Sequence, residues 1–168
     1  KLHRYDVLLP WPDSVSVAMT KPTRYQASLT EDTYTSDWDT QQNAGPTYLG
    51  MSASGDVTGE LVYANSGNPA DYDWLEAQGV SLKGKIALVR YSNPYSYRGF
   101  KALTAEQRGL KAMLIYSDPQ EDGYRRGIVF PNGPFGPASH LQRGAITYDF
   151  MAAGDPLKPV DVNKIGLA

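Results

Sequence analysis

Lys85-Ile86-Ala87-Leu88-Val89-Arg90-Tyr91 is the most strand-like run in the chain, four apolar residues in succession closed on both sides by basic ones. An apolar run of this length, bounded by turn residues and rich in branched side chains, fits a strand. Upstream, Asn68-Pro69 has the form of an N-cap followed by proline at the first helical position. Tyr72, Leu75 and Glu76 then follow a helical face, and Gly79 is placed to end that helix. Before it, Glu60-Leu61-Val62-Tyr63-Ala64 reads as a buried strand. Downstream, a second helix is predicted from Arg98-Gly99 to Arg108 with Gly109 as its stop, followed by the buried strand Ala112-Met113-Leu114-Ile115-Tyr116, ended by Ser117-Asp118-Pro119. Residues 59–117 therefore alternate strand, helix, strand, helix, strand, an order that implies parallel pairing with right-handed crossovers.

The flanks are less regular. Tyr5-Asp6-Val7-Leu8-Leu9 is expected to be a strand that stops at Pro10-Trp11-Pro12. Ser14 to Met19 alternates polar and apolar, as a half-buried strand does, and Arg24 to Leu29 fits a third short strand. Residues 30–55 are polar and aromatic without a clear period, which predicts a long surface excursion ordered in part by its aromatic side chains. Residues 118–145 form a second excursion in which Gly127, Pro131, Gly133, Pro134, Gly136 and Pro137 crowd together, and this proline density favours a shaped loop. Ala145-Ile146-Thr147-Tyr148 fits a strand after it and Gly154-Asp155-Pro156 a turn. The last dozen residues contain no closing helix or strand, which suggests a boundary inside a longer chain. The expected class is a mixed α/β single domain over residues 1–168, with a central mixed sheet and a few flanking helices.

Composition narrows the function classes. At 168 residues and 41% hydrophobic the chain can bury a core, and 16 Gly, 12 Pro and 12 Tyr suit strands joined by shaped turns better than a helical bundle. A net charge of -2 provides no field of one sign for nucleic acid or an anionic membrane. There is no cysteine, hence no disulfide and no thiolate metal site. No apolar run approaches the roughly 18 residues of a membrane span, and the first residues carry no apolar signal region.

Few residue patterns in the chain carry chemistry. His3 and His140 stand at opposite ends of the chain, outside any zinc motif. Asp118, Glu121 and Asp122 lack the spacing of a calcium loop and read as solvated acids. Ser139 and His140 are sequence neighbours, but no Gly-x-Ser-x-Gly elbow or orienting third group accompanies them. Gly79-Val80-Ser81-Leu82-Lys83-Gly84-Lys85 matches the start of a phosphate-binding loop, yet Ile86 follows and the segment runs from helix to strand, the reverse of what such a loop needs. Tyr95-Ser96-Tyr97-Arg98-Gly99 stands out, because it follows the strongest strand and opens a helix, where α/β domains place ligand contacts. A cation is unfavourable by some tenths of a kcal/mol at a helix N-terminus. Arg98 therefore either grips a carboxylate or keeps its head in water.

Four segments, in order, make the chain recognisable: Tyr5-Asp6-Val7-Leu8-Leu9; Leu82 to Tyr91 followed by Tyr97-Arg98-Gly99; Leu114-Ile115-Tyr116-Ser117-Asp118-Pro119; and Gln142-Arg143-Gly144 with Gly154-Asp155-Pro156-Leu157 after it. Together they resemble the protease-associated domain of the glutamate carboxypeptidase II family, which includes prostate-specific membrane antigen and the non-catalytic transferrin receptors. The loop style and the lack of glycosylation acceptors favour a bacterial member. The resemblance implies a fold of the swivelling β/β/α type and a parent that is a secreted, periplasmic or surface zinc carboxypeptidase. Its two zinc ions and catalytic residues lie in a separate peptidase domain, so no catalytic residue, metal ligand or cofactor is expected in this chain. By the same resemblance Arg98 binds the C-terminal carboxylate of a peptide substrate and Tyr97 lines the pocket. The implied partners are that peptidase domain and the peptide; an open sheet edge also admits a homodimer. The competing expectation is a protein-binding module of a receptor-like, catalytically inactive homologue.

Overall fold

In the computed structural model the described residues are 2–4, 6, 9–42, 44–92, 97–148 and 150. Most of the strand expected at residues 5–9 and the turn expected at 154–156 lie outside them. The elements are β1 (Ala18–Met19), β2 (Tyr25–Gln26), α1 (Asp39–Gln42), β3 (Leu49–Gly50), β4 (Leu61–Tyr63), α2 (Pro69–Ala77), β5 (Ile86–Arg90), α3 (Arg98–Gln107), β6 (Ala112–Tyr116), α4 (Pro119–Asp122) and β7 (Gly144–Ala145). The mixed α/β class holds, with the strands divided among three small sheets. The largest is parallel in the order β4-β5-β6, and β1-β2 is antiparallel. β3 pairs in parallel with β7, which brings the two excursions together. Among the described residues no helix is long and apolar enough to cross a membrane.

The parallel sheet follows from the alternation of its residues. Ala87 and Val89 of β5 are fully buried and sit in register with Met113 and Ile115 of β6, while Val62 of β4 faces Ala87. Tyr72 and Leu75 of α2 and Ala105 of α3 complete the core with Leu82 and Leu110. α2 starts where the sequence indicates. Asn68 caps the amides of Ala70 and Asp71, and Asp71 returns a bond to the Asn68 amide, a reciprocal capping box. Gly79 leaves the helix at φ 79°, and Gly109 leaves α3 at φ 73°.

Two strand expectations need correction. Residues 60–64 do not form a buried strand: β4 is an edge strand, Val62 points inward, and Leu61 and Tyr63 are half exposed. The half-buried strand over residues 14–19 shrinks to β1, two exposed residues in a hairpin with β2, because this hairpin joins neither of the other sheets. A short helix was also missed, since Asp118-Pro119 both ends β6 and caps α4, with the Asp118 carboxylate accepting from the Gln120 amide.

Candidate functional site

Arg98 is the first residue of α3, and the Tyr97 side chain makes no capping bond there. The guanidinium folds back onto the segment that leads into β7. Its Nη2 donates to Gln142 Oε1 at 2.7 Å and to the Arg143 carbonyl at 2.9 Å, and its Cζ lies 4.9 Å from the centroid of the Tyr91 ring. Nε is buried and has no hydrogen-bond partner among the described residues. Burial pushes the Tyr91 phenol above its usual range, against the pull of the Arg98 charge. The site thus holds a cation flanked by neutral oxygens and an aromatic face, with no carboxylate paired to it among the described residues.

Two glycines make this approach possible. A Cβ on Gly144 would collide with the Arg98 guanidinium, and one on Gly99 would collide with the Thr147 carbonyl. The Arg-Gly pair at the start of α3 and the chain around β7 therefore interlock, each glycine admitting the other segment. Tyr97 extends the site outward. Its hydroxyl lies 3.0 Å from Thr147 Oγ1, and its ring meets Phe150 edge-on at 5.6 Å. Behind the same turn of α3, the Lys101 ammonium is buried and donates to the Ser66 carbonyl, and burial lowers its pKa to about 8.

The other sequence candidates separate. Asp118 and Glu121 both face Arg90 Nη1, at 3.4 and 3.2 Å, so the two acids share this cation. Ser139 donates to Asp32 at 2.9 Å, and His140 Nδ1 lies 3.6 Å from Glu31, so no serine–histidine relay forms. Lys85, the lysine of the phosphate-loop match, pairs with Glu60 at 3.1 Å, and Gly79 and Gly84 serve as turn residues with positive φ. Among the described residues no three His, Asp or Glu side chains converge to hold a metal ion. A half-open cavity of about 270 Å³ between the two excursions is walled by Tyr34, Phe130 and Phe135 beside Asp32 and His140.

Arg98 and Tyr97 are adjacent in sequence and lie together at the start of α3. Gln142, Gly144, Tyr91 and Thr147 complete the site, and nothing local in the sequence connects them to Arg98. Gln142 is 44 positions away, and only the Gln-Arg-Gly segment hinted at it.

Residues 57–148 match the PA domain family. The chain is 41% identical over 159 residues to a probable glutamate carboxypeptidase of Arthroderma benhamiae, covering 90% of this chain and 22% of that protein. It is 32% identical to an inactive zinc metalloprotease of Schizosaccharomyces pombe, covering 90% of this chain and 19% of that protein. It is 34% identical to aminopeptidase NAALADL1 of Rattus norvegicus, covering 95% of this chain and 22% of that protein. These relatives are fungal and animal proteins and lend no support to the bacterial source expected from the loops. The chain spans about a fifth of the length of the curated relatives it matches. With more than half of its residues inside the matched region, the chain belongs to the PA domain family.

Proposed function

We propose that this chain is the non-catalytic accessory domain of a larger glutamate carboxypeptidase-like zinc peptidase, and that it walls the active-site cleft and orients the substrate. The observation that carries this reading is the PA domain match, together with relatives named as peptidases that the chain covers over only about a fifth of their length. Two zinc ions belong to the peptidase part of such a protein. Among the described residues no three ligand-type groups converge to fit a zinc centre. What this chain contributes is Arg98, a cation with no carboxylate paired to it among the described residues, which takes the peptide C-terminus, with Tyr97 beside it as a pocket wall. The peptidase part and a peptide with a free C-terminal carboxylate are the partners, outside the cell or on its surface.

In the full-length protein, Arg98→Ala raises KM for a peptide with a free C-terminal carboxylate about 10- to 100-fold, the range of a lost charge-assisted contact, and changes kcat far less. The C-terminal amide of the same peptide shows no such loss. An unchanged KM for the free acid removes Arg98 from the site. A second reading is favoured by the relative named an inactive zinc metalloprotease: a binding module in a protein without turnover. Failure of the full-length protein to hydrolyse any carboxyl-terminal peptide would select it.

A further inference from the structure

The environment of Arg98 differs between its two Nη2 contacts. The Arg143 carbonyl is backbone, fixed by the β3–β7 pairing that begins at Gly144 and by the Arg143 side chain, which donates to Glu31 at 2.6 Å and to the Gly45 carbonyl at 2.8 Å. Gln142 has no comparable anchor. Its side chain is exposed, and its bond to Arg98 is the only one it makes among the described residues. An amide oxygen on a guanidinium forms a single neutral bond. A carboxylate in the same place adds charge and can span two nitrogens of the fork. The Tyr91 ring touches the guanidinium independently of Gln142, and the missing Cβ of Gly144 leaves room for it.

We infer that Gln142 is a displaceable stand-in for the ligand's carboxylate: its amide oxygen occupies Nη2 until a peptide C-terminus takes its place, so Gln142 sets how tightly the site holds a free C-terminus. This rests on the carboxylate-binding reading of Arg98. Binding exchanges one acceptor for another on the same nitrogen, so net affinity is the difference between the two contacts. Weakening the internal acceptor tightens ligand binding. Replacing it with a carboxylate weakens ligand binding.

The test uses the full-length protein with an acetylated dipeptide ending in glutamate, as the free acid and as the C-terminal amide. The dissociation constant is measured by calorimetry and KM by turnover. Gln142→Ala is expected to tighten binding of the free acid about two- to fivefold, and Gln142→Glu to weaken it about tenfold or more, with the change falling on KM and the dissociation constant of the free acid rather than on those of the amide. A residue that merely supports the loop would shift both variants in the same direction. Changes of the same sign, or no change in either variant, overturn the role of Gln142 when Arg98→Ala still weakens binding of the free acid. An Arg98→Ala variant that binds the free acid like wild type overturns the carboxylate reading itself, and the Gln142 inference with it. Thermal unfolding of each variant confirms that the domain is intact before the constants are compared.

Discussion

Lys101 is the residue whose environment departs furthest from what its type suggests. Between Phe100 and Ala102 in a helical run it reads as a solvent-facing lysine, yet it is 1% exposed and its ammonium donates to the buried Ser66 carbonyl. Burial brings its pKa down to about 8 from 10.5, with Asp71 opposing the shift and Arg90 adding to it. The unfolded chain therefore binds more protons than the folded one between pH 8 and 10.5, so this lysine makes stability rise with pH across that window. Above pH 10 the tyrosines act in the opposite sense. Tyr72, Tyr116 and Tyr148 are raised to about 12, mainly by burial, and stabilise the fold only while protonated. In urea unfolding between pH 8 and 10, wild type should gain up to about 1.4 kcal/mol per pH unit. Lys101→Met should abolish most of that slope, and a wild-type profile flat over the window would contradict the buried-cation account. Arg98 shows the limit of sequence reading at this scale. Its position at a helix start was legible, whereas Gln142 and Tyr91, which define its surroundings, are brought in by tertiary packing alone.

Among the elements, legibility followed how much of each signal was local. Asn68-Pro69 and Gly79 define α2 through backbone chemistry written in adjacent residues, and both ends fall where expected. β5 was equally plain, because a run of apolar residues in the middle of a sheet needs no further information, whereas the apolar run of β6 marked a strand but not its edge position, which leaves it part-buried rather than buried. β4 and β1 were misjudged because burial of a strand depends on its neighbours. An edge position leaves Leu61 and Tyr63 half exposed, and a hairpin outside the other sheets leaves Ala18 and Met19 exposed. The second member of the α2 capping box, Asp71, also accepts from the Asn65 side-chain amide at 2.8 Å, and Asn65 in turn accepts from Arg90 at 2.9 Å. The cap thus connects α2 to the end of β5 and, through Arg90, to α4. Asn68→Ala should cost about 1 kcal/mol, with a range of roughly 0.5–2, and Asn68→Ser should restore most of it in thermal melts. A loss below a few tenths would mean that Pro69 and packing hold the helix end without the cap.

At the scale of the whole chain the two excursions that looked irregular in sequence hold each other. Glu31, from the first, accepts from the Leu141 amide at 2.9 Å and from Arg143 at 2.6 Å in the second, Asp32 accepts from Ser139, and Leu49 pairs with Gly144. These are contacts about 100 residues apart, through polar side chains and backbone pairing, which no periodicity reveals. They also position Gln142 and Gly144 beneath Arg98, so the integrity of the candidate site depends on a contact remote from α3. Burial alone would raise the Glu31 pKa, but the Leu141 amide and the Arg143 guanidinium outweigh it, and the carboxyl is held below its ordinary 4.5. A carboxyl with a lowered folded-state pKa stabilises the protein above its unfolded value and loses that contribution as pH falls through the folded one. The interlock should therefore weaken below pH 4.5 and be fully present at neutrality. Glu31→Gln keeps the shape but removes the charge. It should lower stability at pH 7 by about 1–2 kcal/mol and flatten the loss of melting temperature on acidification from pH 5 to 3.5. If the variant melts with the same acid dependence as wild type, other carboxylates govern the acid limb, and the Glu31–Arg143 pair does not hold the excursions together.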